Sequence, residues 1–165
     1  MDKTALTKIS YGMYIVCTKD GGKFCGCVAN SAMQITAEPA TIAVSINHNN
    51  YTNEKIKECS EFSICVLPEN INPLAIGTFG FRSSRDFDKF ENTKYFIKDG
   101  LPVCEDACAY IICKVINTSE TSTHTIFIGE IKDCDILKND PPMTYAYYHN
   151  VIKGKSPKNA PTYIS

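Results

Sequence analysis

Residues 41–47, Thr-Ile-Ala-Val-Ser-Ile-Asn, put Ile42, Val44 and Ile46 on one side of an extended chain and Ala43, Ser45 and Asn47 on the other. A two-residue period of this kind is incompatible with a helix, and short apolar runs recur along the chain. Residues 9–17 read as a strand, Lys19-Asp20-Gly21-Gly22 as an Asp-Gly hairpin turn, and residues 24–29 as the returning strand. Residues 62–67 form another, stopped by Pro68. Residues 109–117 and 125–131 are two longer strands joined by a polar connection over 118–124, and residues 95–98 are a shorter one. Helical punctuation is sparse. Thr52 is placed to cap a helix through residue 59, and Pro73 and Gly77 bracket a second short helix. Residues 141–148 read either way. Many strands, few helices and no regular strand–helix alternation predict an antiparallel all-β barrel with appended helices. Residues 1–165 read as one domain, with 154–165, which holds Pro157 and Pro161, as an extended C-terminal tail.

The charge balance narrows the partners. With 17 basic and 18 acidic side chains the formal net charge is −1, so there is no global electrostatic drive toward nucleic acid or an anionic membrane. The longest apolar run, residues 107–113, is far short of the ~20 residues a spanning helix requires, and Met1 to Lys8 has no apolar signal region. A cytoplasmic location is the expectation. Nine cysteines, an odd count with no Cys-x-x-Cys pair, argue against a disulfide framework. Most lie in apolar runs, Cys17, Cys65 and Cys113 among them, and read as small buried hydrophobes. No metal site is expected.

Familiar catalytic motifs are missing: there is no Gly-x-Ser-x-Gly, His-Glu-x-x-His, Walker loop or Gly-x-Gly-x-x-Gly, and His48, His124 and His149 are the only histidines. Reactivity borrowed from a cofactor is the better expectation. Two stretches read as ligand surface. The first runs from Asn30 to Thr52: small and polar residues follow an apolar strand, and an Asn-rich loop then opens a helix, whose N-terminus suits a phosphate. In the second, Phe79 to Phe90, the chain's two arginines, Arg82 and Arg85, flank Ser83-Ser84. Together they suggest a phosphorylated ligand.

The order of these motifs resembles the flavin reductase-like family. The carriers are Tyr11-Gly12-Met13-Tyr14-Ile15-Val16, then Ala29-Asn30-Ser31-Ala32-Met33-Gln34, then Pro39 to Asn47 with Tyr51-Thr52, then Asp86-Phe87-Asp88-Lys89-Phe90. Within that family the chain is most similar to flavoredoxin and to the flavin domain of high-molecular-weight rubredoxins; the late runs Thr144 to His149 and Gly154 to Tyr163 resemble the latter. The resemblance implies a mostly β, antiparallel split β-barrel of Greek-key type with a few short helices, a homodimer and bound FMN. It implies Asn30, Ser31, Ala32 and Met33 along the isoalloxazine, and Ser45, Ile46 and Asn47 along the pyrimidine edge and ribityl chain. Asn50, Tyr51 and Thr52 would meet the phosphate, with Lys89 as its cation. His48 stands where relatives often carry lysine.

The implied activity is an FMN-dependent oxidoreductase that takes hydride from NADH or NADPH and passes electrons to a separate acceptor such as rubredoxin. No side chain is expected to serve as a catalytic acid or base. His149 either borders the nicotinamide site or packs among the neighbouring tyrosines. Cys25 and Cys27 lie near enough in sequence to the flavin loop to tune it, and Arg82 and Arg85 stay open between ligand, partner and solvent. The alternative is an FMN-binding electron carrier without its own nicotinamide site. A third class is a split barrel that holds haem or pyridoxal phosphate, or that only scaffolds a complex.

Overall fold

The computed structural model describes residues 1–163. After a 3-10 helix at Lys3–Lys8 come β1 (Tyr14–Asp20), β2 (Lys23–Ala29), β3 (Ala32–Ala37), β4 (Ala40–Asn47), α1 (Tyr51–Cys59) and β5 (Glu61–Val66). They are followed by α2 (Pro73–Phe81), β6 (Tyr95–Lys98), β7 (Leu101–Cys104), β8 (Ala109–Glu120), β9 (His124–Ile136) and α3 (Tyr145–Asn150). Seven strands form one antiparallel sheet in the order β2-β1-β5-β8-β9-β4-β3, which curls into a split barrel, and β6 and β7 form a separate hairpin. None of the described helices is long and apolar enough to cross a membrane.

Strand β5 explains why the sheet has two cores. Phe62 and Ile64 point into the barrel, where they meet Val16, Val44, Ile46 and Phe127, with Ile56 of α1 closing the layer. Ser63 and Cys65 point outward, beneath β7, and there Ile15, Cys17, Phe79 and Val103 build a second core. The Ser63 hydroxyl is satisfied by the Pro102 carbonyl at 2.6 Å. A central strand buried on both faces reads as a near-continuous apolar run, and in this one Ser63 is the single polar interruption between Phe62 and Val66. Each large side chain so buried stabilises the fold by about 1.5–3 kcal/mol.

The alternation in β4 is realised as expected, with Ile42, Val44 and Ile46 inside. The strand expected from residue 9 starts only at Tyr14. Ile9 has no strand partner and is exposed, and the Met13 N–H bonds to the Met143 carbonyl instead of to a sheet neighbour. Two strands escaped the sequence reading. β3 is a sheet edge with an exposed burial pattern; β7 contains Pro102, which an edge hairpin tolerates because no N–H is required there. The 118–124 connection shrinks to a tight turn because β8 runs on to Glu120. The N-cap position of α1 is Asn50, not Thr52, and α2 continues past Gly77 to Phe81 because Ile76 and Phe79 are buried. Thr144 caps α3 by accepting from the Tyr147 N–H at 3.0 Å. Residues 151–163 hold no helix or strand.

The two edges of the sheet differ. Along β2, the Lys89 ammonium and the Ser84 hydroxyl cover Gly26. The edge of β3 has no such cover among the described residues, and its Met33 is 67% exposed.

Candidate functional site

The ends of β2 and β4, the start of α1 and the end of α2 meet at one mouth of the barrel, and the groove between them has two joined compartments. The first, a cavity of about 80 Å³, is lined by Asn30, Ser45, Ile46, Asn47 and Asn50, with Phe79 to Phe81 opposite. The second, about 250 Å³, is lined by Asn50, Tyr51, Thr52, Arg82, Ser83, Ser84 and Lys89. Cys27, Asn50, Gly80 and Phe81 belong to both.

Local sequence builds this shape. The Asn47 side chain accepts the Asn49 N–H at 2.9 Å, an Asx turn that swings the chain from β4 into α1. Asn53 then pins α1 to the strand by donating to the Ile46 carbonyl at 2.8 Å. The N-cap residue Asn50 makes no side-chain cap bond, so the first turn of α1 presents backbone N–H groups toward the second compartment without a side-chain acceptor. Tyr51 is held by its hydroxyl on Asp20 at 2.9 Å, with the Arg85 guanidinium 4.8 Å over its ring. Arg85 is itself paired with Glu54, and Arg82 stacks on Phe87.

Lys89 is the electrostatic centre of the second compartment. It is 3% exposed, and its ammonium donates to the Gly26 carbonyl at 2.7 Å and the Phe79 carbonyl at 3.1 Å. Three N–H donors against two acceptors leave one to spare. No carboxylate lies within ion-pair distance of it among the described residues. Burial holds its pKa below the usual lysine range. A buried cation in contact with neutral dipoles alone is a seat for an anion. Burial acts the other way on the thiols beneath it, pushing Cys25 up to about 12 and Cys27 upward as well. Both are protonated at neutral pH.

Of the residues expected at a ligand, the structure brings Asn30, Ser45, Ile46, Asn47, Asn50, Tyr51, Thr52 and Lys89 to the groove. It does not bring Ser31, Ala32 and Met33 to its lining. Ser31 turns back onto the Asn30 side chain, and Ala32 and Met33 enter the edge strand β3. His48 pairs with Glu120. His149 sits edge-on to Tyr145 at 4.3 Å, and both its ring nitrogens are engaged, by the Gly154 carbonyl at 2.9 Å and the Ser156 hydroxyl at 3.3 Å. It packs among tyrosines and anchors the tail.

The tail itself is the component that sequence reasoning missed. Residues 155–161 form one wall of the groove. The Asn47 side chain donates to the Asn159 carbonyl at 3.2 Å, and the Asn30 side chain to the Thr162 hydroxyl at 2.6 Å. The Tyr148 hydroxyl donates to the Lys155 carbonyl, and the Tyr145 hydroxyl bonds Ser156. Prolines at 157 and 161 were the only local signal, and they indicate an extended chain but not its docking place.

His124 was also passed over. It lies opposite Asn47 on β9, and its Nε2 is buried with no hydrogen-bond partner among the described residues. Burial depresses its pKa below the ordinary value near 6.5, the Asn159 carbonyl opposing and His48 adding to the effect. Because the folded state resists a proton that the unfolded state accepts, stability falls as pH drops through about 6.5. Urea titrations at about pH 7 and about pH 5.5 are expected to show a lower midpoint at the acid value, and His124→Gln is expected to shrink that difference. An unchanged difference in the variant would assign the pH dependence to other groups.

Comparison with known proteins gives a consistent picture. The profile of the flavin reductase like domain matches residues 6–155. The chain is 46% identical to a high molecular weight rubredoxin of Moorella thermoacetica over 165 residues, covering 99% of this chain and 72% of that protein. It is 42% identical to a ferric-chelate reductase (NAD(P)H) of Archaeoglobus fulgidus over 166 residues, covering 99% of this chain and 98% of that protein. Among solved structures, flavoredoxin from Methanosarcina acetivorans superposes with a TM-score of 0.75 at 21% identity, covering 82% of this chain and 79% of that one.

Proposed function

Because the chain belongs to the flavin reductase-like family, we propose that it is an NAD(P)H-dependent oxidoreductase whose groove holds FMN and which hands electrons to a separate acceptor. One observation carries the choice of FMN: a single buried, carboxylate-free ammonium, Lys89, stands with the first turn of α1 at one end of a groove whose other end is lined by amides and apolar side chains. That arrangement suits a flat polar ring at one end and one terminal phosphate at the other.

In this reading Asn30, Ser45 and Asn47 offer hydrogen bonds to the ring edge, and Ile46 and Phe81 supply apolar contact. Thr52, the N–H groups that open α1 and Lys89 hold the phosphate. Flavin held there would supply the hydride- and electron-transfer chemistry. The contribution of the chain is to orient the ring, to neutralise the phosphate and to keep water off one face. Cys25 and Cys27, held as neutral thiols by burial, add no charge beside Lys89.

Rubredoxin is the acceptor we favour, on the strength of the high molecular weight rubredoxin relative; ferric chelates come second, by the name of the Archaeoglobus protein. A homodimer is part of the proposal, supported by the uncovered edge of β3 with exposed Met33 and Ile35. A reducing, cytoplasmic setting suits a chain whose nine cysteines are all free thiols.

The direct test is the anaerobic visible spectrum of the FMN-loaded protein before and after NADH and then NADPH. Rapid bleaching of the long-wavelength flavin band by either nucleotide is the expected result, and it names the donor. Yellow protein that neither nucleotide bleaches would replace the reductase with a carrier. Failure to take up FMN would overturn both.

A further inference from the structure

Three cysteines outside the groove converge in the outer core. Cys17 of β1, Cys65 of β5 and Cys104 of β7 hold their Sγ atoms within 4.8 Å of one another, and all three residues are buried. The register of the sheet produces this. Cys17 stands opposite Ser63 and Cys65 opposite Ile15, so the two thiols are diagonal neighbours on one face. Strand β7 packs across β1 and β5 and sets Cys104 onto the pair. The Cys104 N–H donates to the Cys65 sulfur at 3.3 Å, a bond that an anionic sulfur accepts better than a thiol. Hydrogen bonds from the other two thiols reinforce it and draw the ionisation of Cys65 well below the usual thiol range, while burial holds Cys17 up.

Between Cys17 and Cys65 a disulfide is the poorer use of this geometry. Diagonal neighbours on antiparallel strands have Cα atoms about 7–8 Å apart, against the ~4.4–6.8 Å that a disulfide spans. A metal ion between the sulfurs needs less movement. With a metal–sulfur distance of about 2.3 Å, three sulfurs in a plane lie about 4.0 Å apart. No histidine or carboxylate joins the trio among the described residues, so a fourth ligand of the kind zinc requires is not supplied by those groups. Soft sulfur donors, low coordination number and exclusion of water all favour one class of ion.

We propose that Cys17, Cys65 and Cys104 form a three-sulfur site for a soft, low-coordinate cation of the Cu(I) type. With Cys65 already ionised, loading Cu(I) on two thiolates and one thiol releases one proton and leaves one net negative charge. A compensating cation stands beyond Gly26. Gly26 is packed so tightly on Cys17 that a Cβ there would lie 3.1 Å from its sulfur, and the Gly26 carbonyl binds the Lys89 ammonium. The site is thus one layer behind the floor of the groove, and it stands or falls independently of what the groove binds.

The test is an anaerobic transfer of Cu(I) from its coloured bicinchoninate complex to the reduced full-length protein. One Cu(I) per chain is expected, with three sulfur neighbours by X-ray absorption, and Zn(II) is expected not to be retained under the same competition. Cys17→Ser, Cys65→Ser and Cys104→Ser should each abolish the transfer, whereas Cys134→Ser, at an exposed thiol, should leave it intact. In the unmutated protein, Cu(I) should protect the peptides carrying Cys17, Cys65 and Cys104 from alkylation during a brief denaturant pulse, which tests the site even if a variant fails to fold. No transfer, copper lost with Cys134→Ser but kept with Cys104→Ser, two sulfur neighbours, or protection of other cysteines would each overturn the proposal.

Discussion

Lys89→Met is expected to raise the dissociation constant for FMN on the order of a hundredfold while changing that for riboflavin only a few-fold. The substitution keeps the length and apolar stem of the side chain and removes the ammonium that stands unpaired by any carboxylate at the second compartment. A hydrogen bond to a charged group is worth about 1.5–3 kcal/mol, which corresponds to roughly 10- to 150-fold in affinity. Riboflavin lacks the phosphate and should not register the loss. The change also leaves the Gly26 and Phe79 carbonyls without their donor, at roughly 1–3 kcal/mol of stability, so thermal unfolding should be followed beside binding. Equal losses for both ligands would make Lys89 an architectural residue of the groove, not a phosphate ligand.

Phe62→Ala is expected to destabilise the fold by about 3–5 kcal/mol, a large share of the ~5–15 kcal/mol that holds a domain of this kind together. Phe62 is fully buried on β5, at the centre of the barrel interior with Ile64, Val16 and Phe127. Its ring also fills the space over Gly129 of β9. A Cβ at Gly129 would lie 2.8 Å from the Phe62 ring and 2.8 Å from the Cys113 side chain. The two positions are therefore fitted to one another, and a cavity at Phe62 opens where neighbouring strands cannot close in. The expected readout is a urea midpoint shifted strongly downward with the slope unchanged. A shift below about 1 kcal/mol would mean that the barrel repacks, contrary to the close fit seen at Gly129.

Much of the sheet was legible because a period of two is a local property. β2, β4, β5, β6, β8 and β9 were all marked by their own residues, and the Ile42–Val44–Ile46 face fell where its alternation placed it. β3 and β7 were not, since each is an edge element: the first has little burial to leave a pattern, and the second carries a proline that only an edge accepts. Thr52 reads as a cap because a hydroxyl before a helix is a common signal, yet the turn made by Asn47 sets the N-cap position at Asn50 and starts α1 at Tyr51.

The candidate site was legible in part, and the division is physical. Asn47 to Thr52 is one continuous stretch, so its Asx turn and helix start can be read from adjacent residues. Lys89 entered through family resemblance alone. Its burial under Gly26 and Phe79, and the absence of a carboxylate partner among the described residues, follow from how residues 79–90 cross the edge of β2. The docking of residues 155–162 on Asn30 and Asn47 joins segments more than a hundred positions apart. Cys17, Cys65 and Cys104 are likewise unremarkable in the linear chain, each one small apolar residue within its own strand. Alternation along the backbone determined which face each residue takes, since that depends on neighbours two positions away. Strand register and the crossing of β7 determined which faces meet, because those contacts arise only when distant segments share a core.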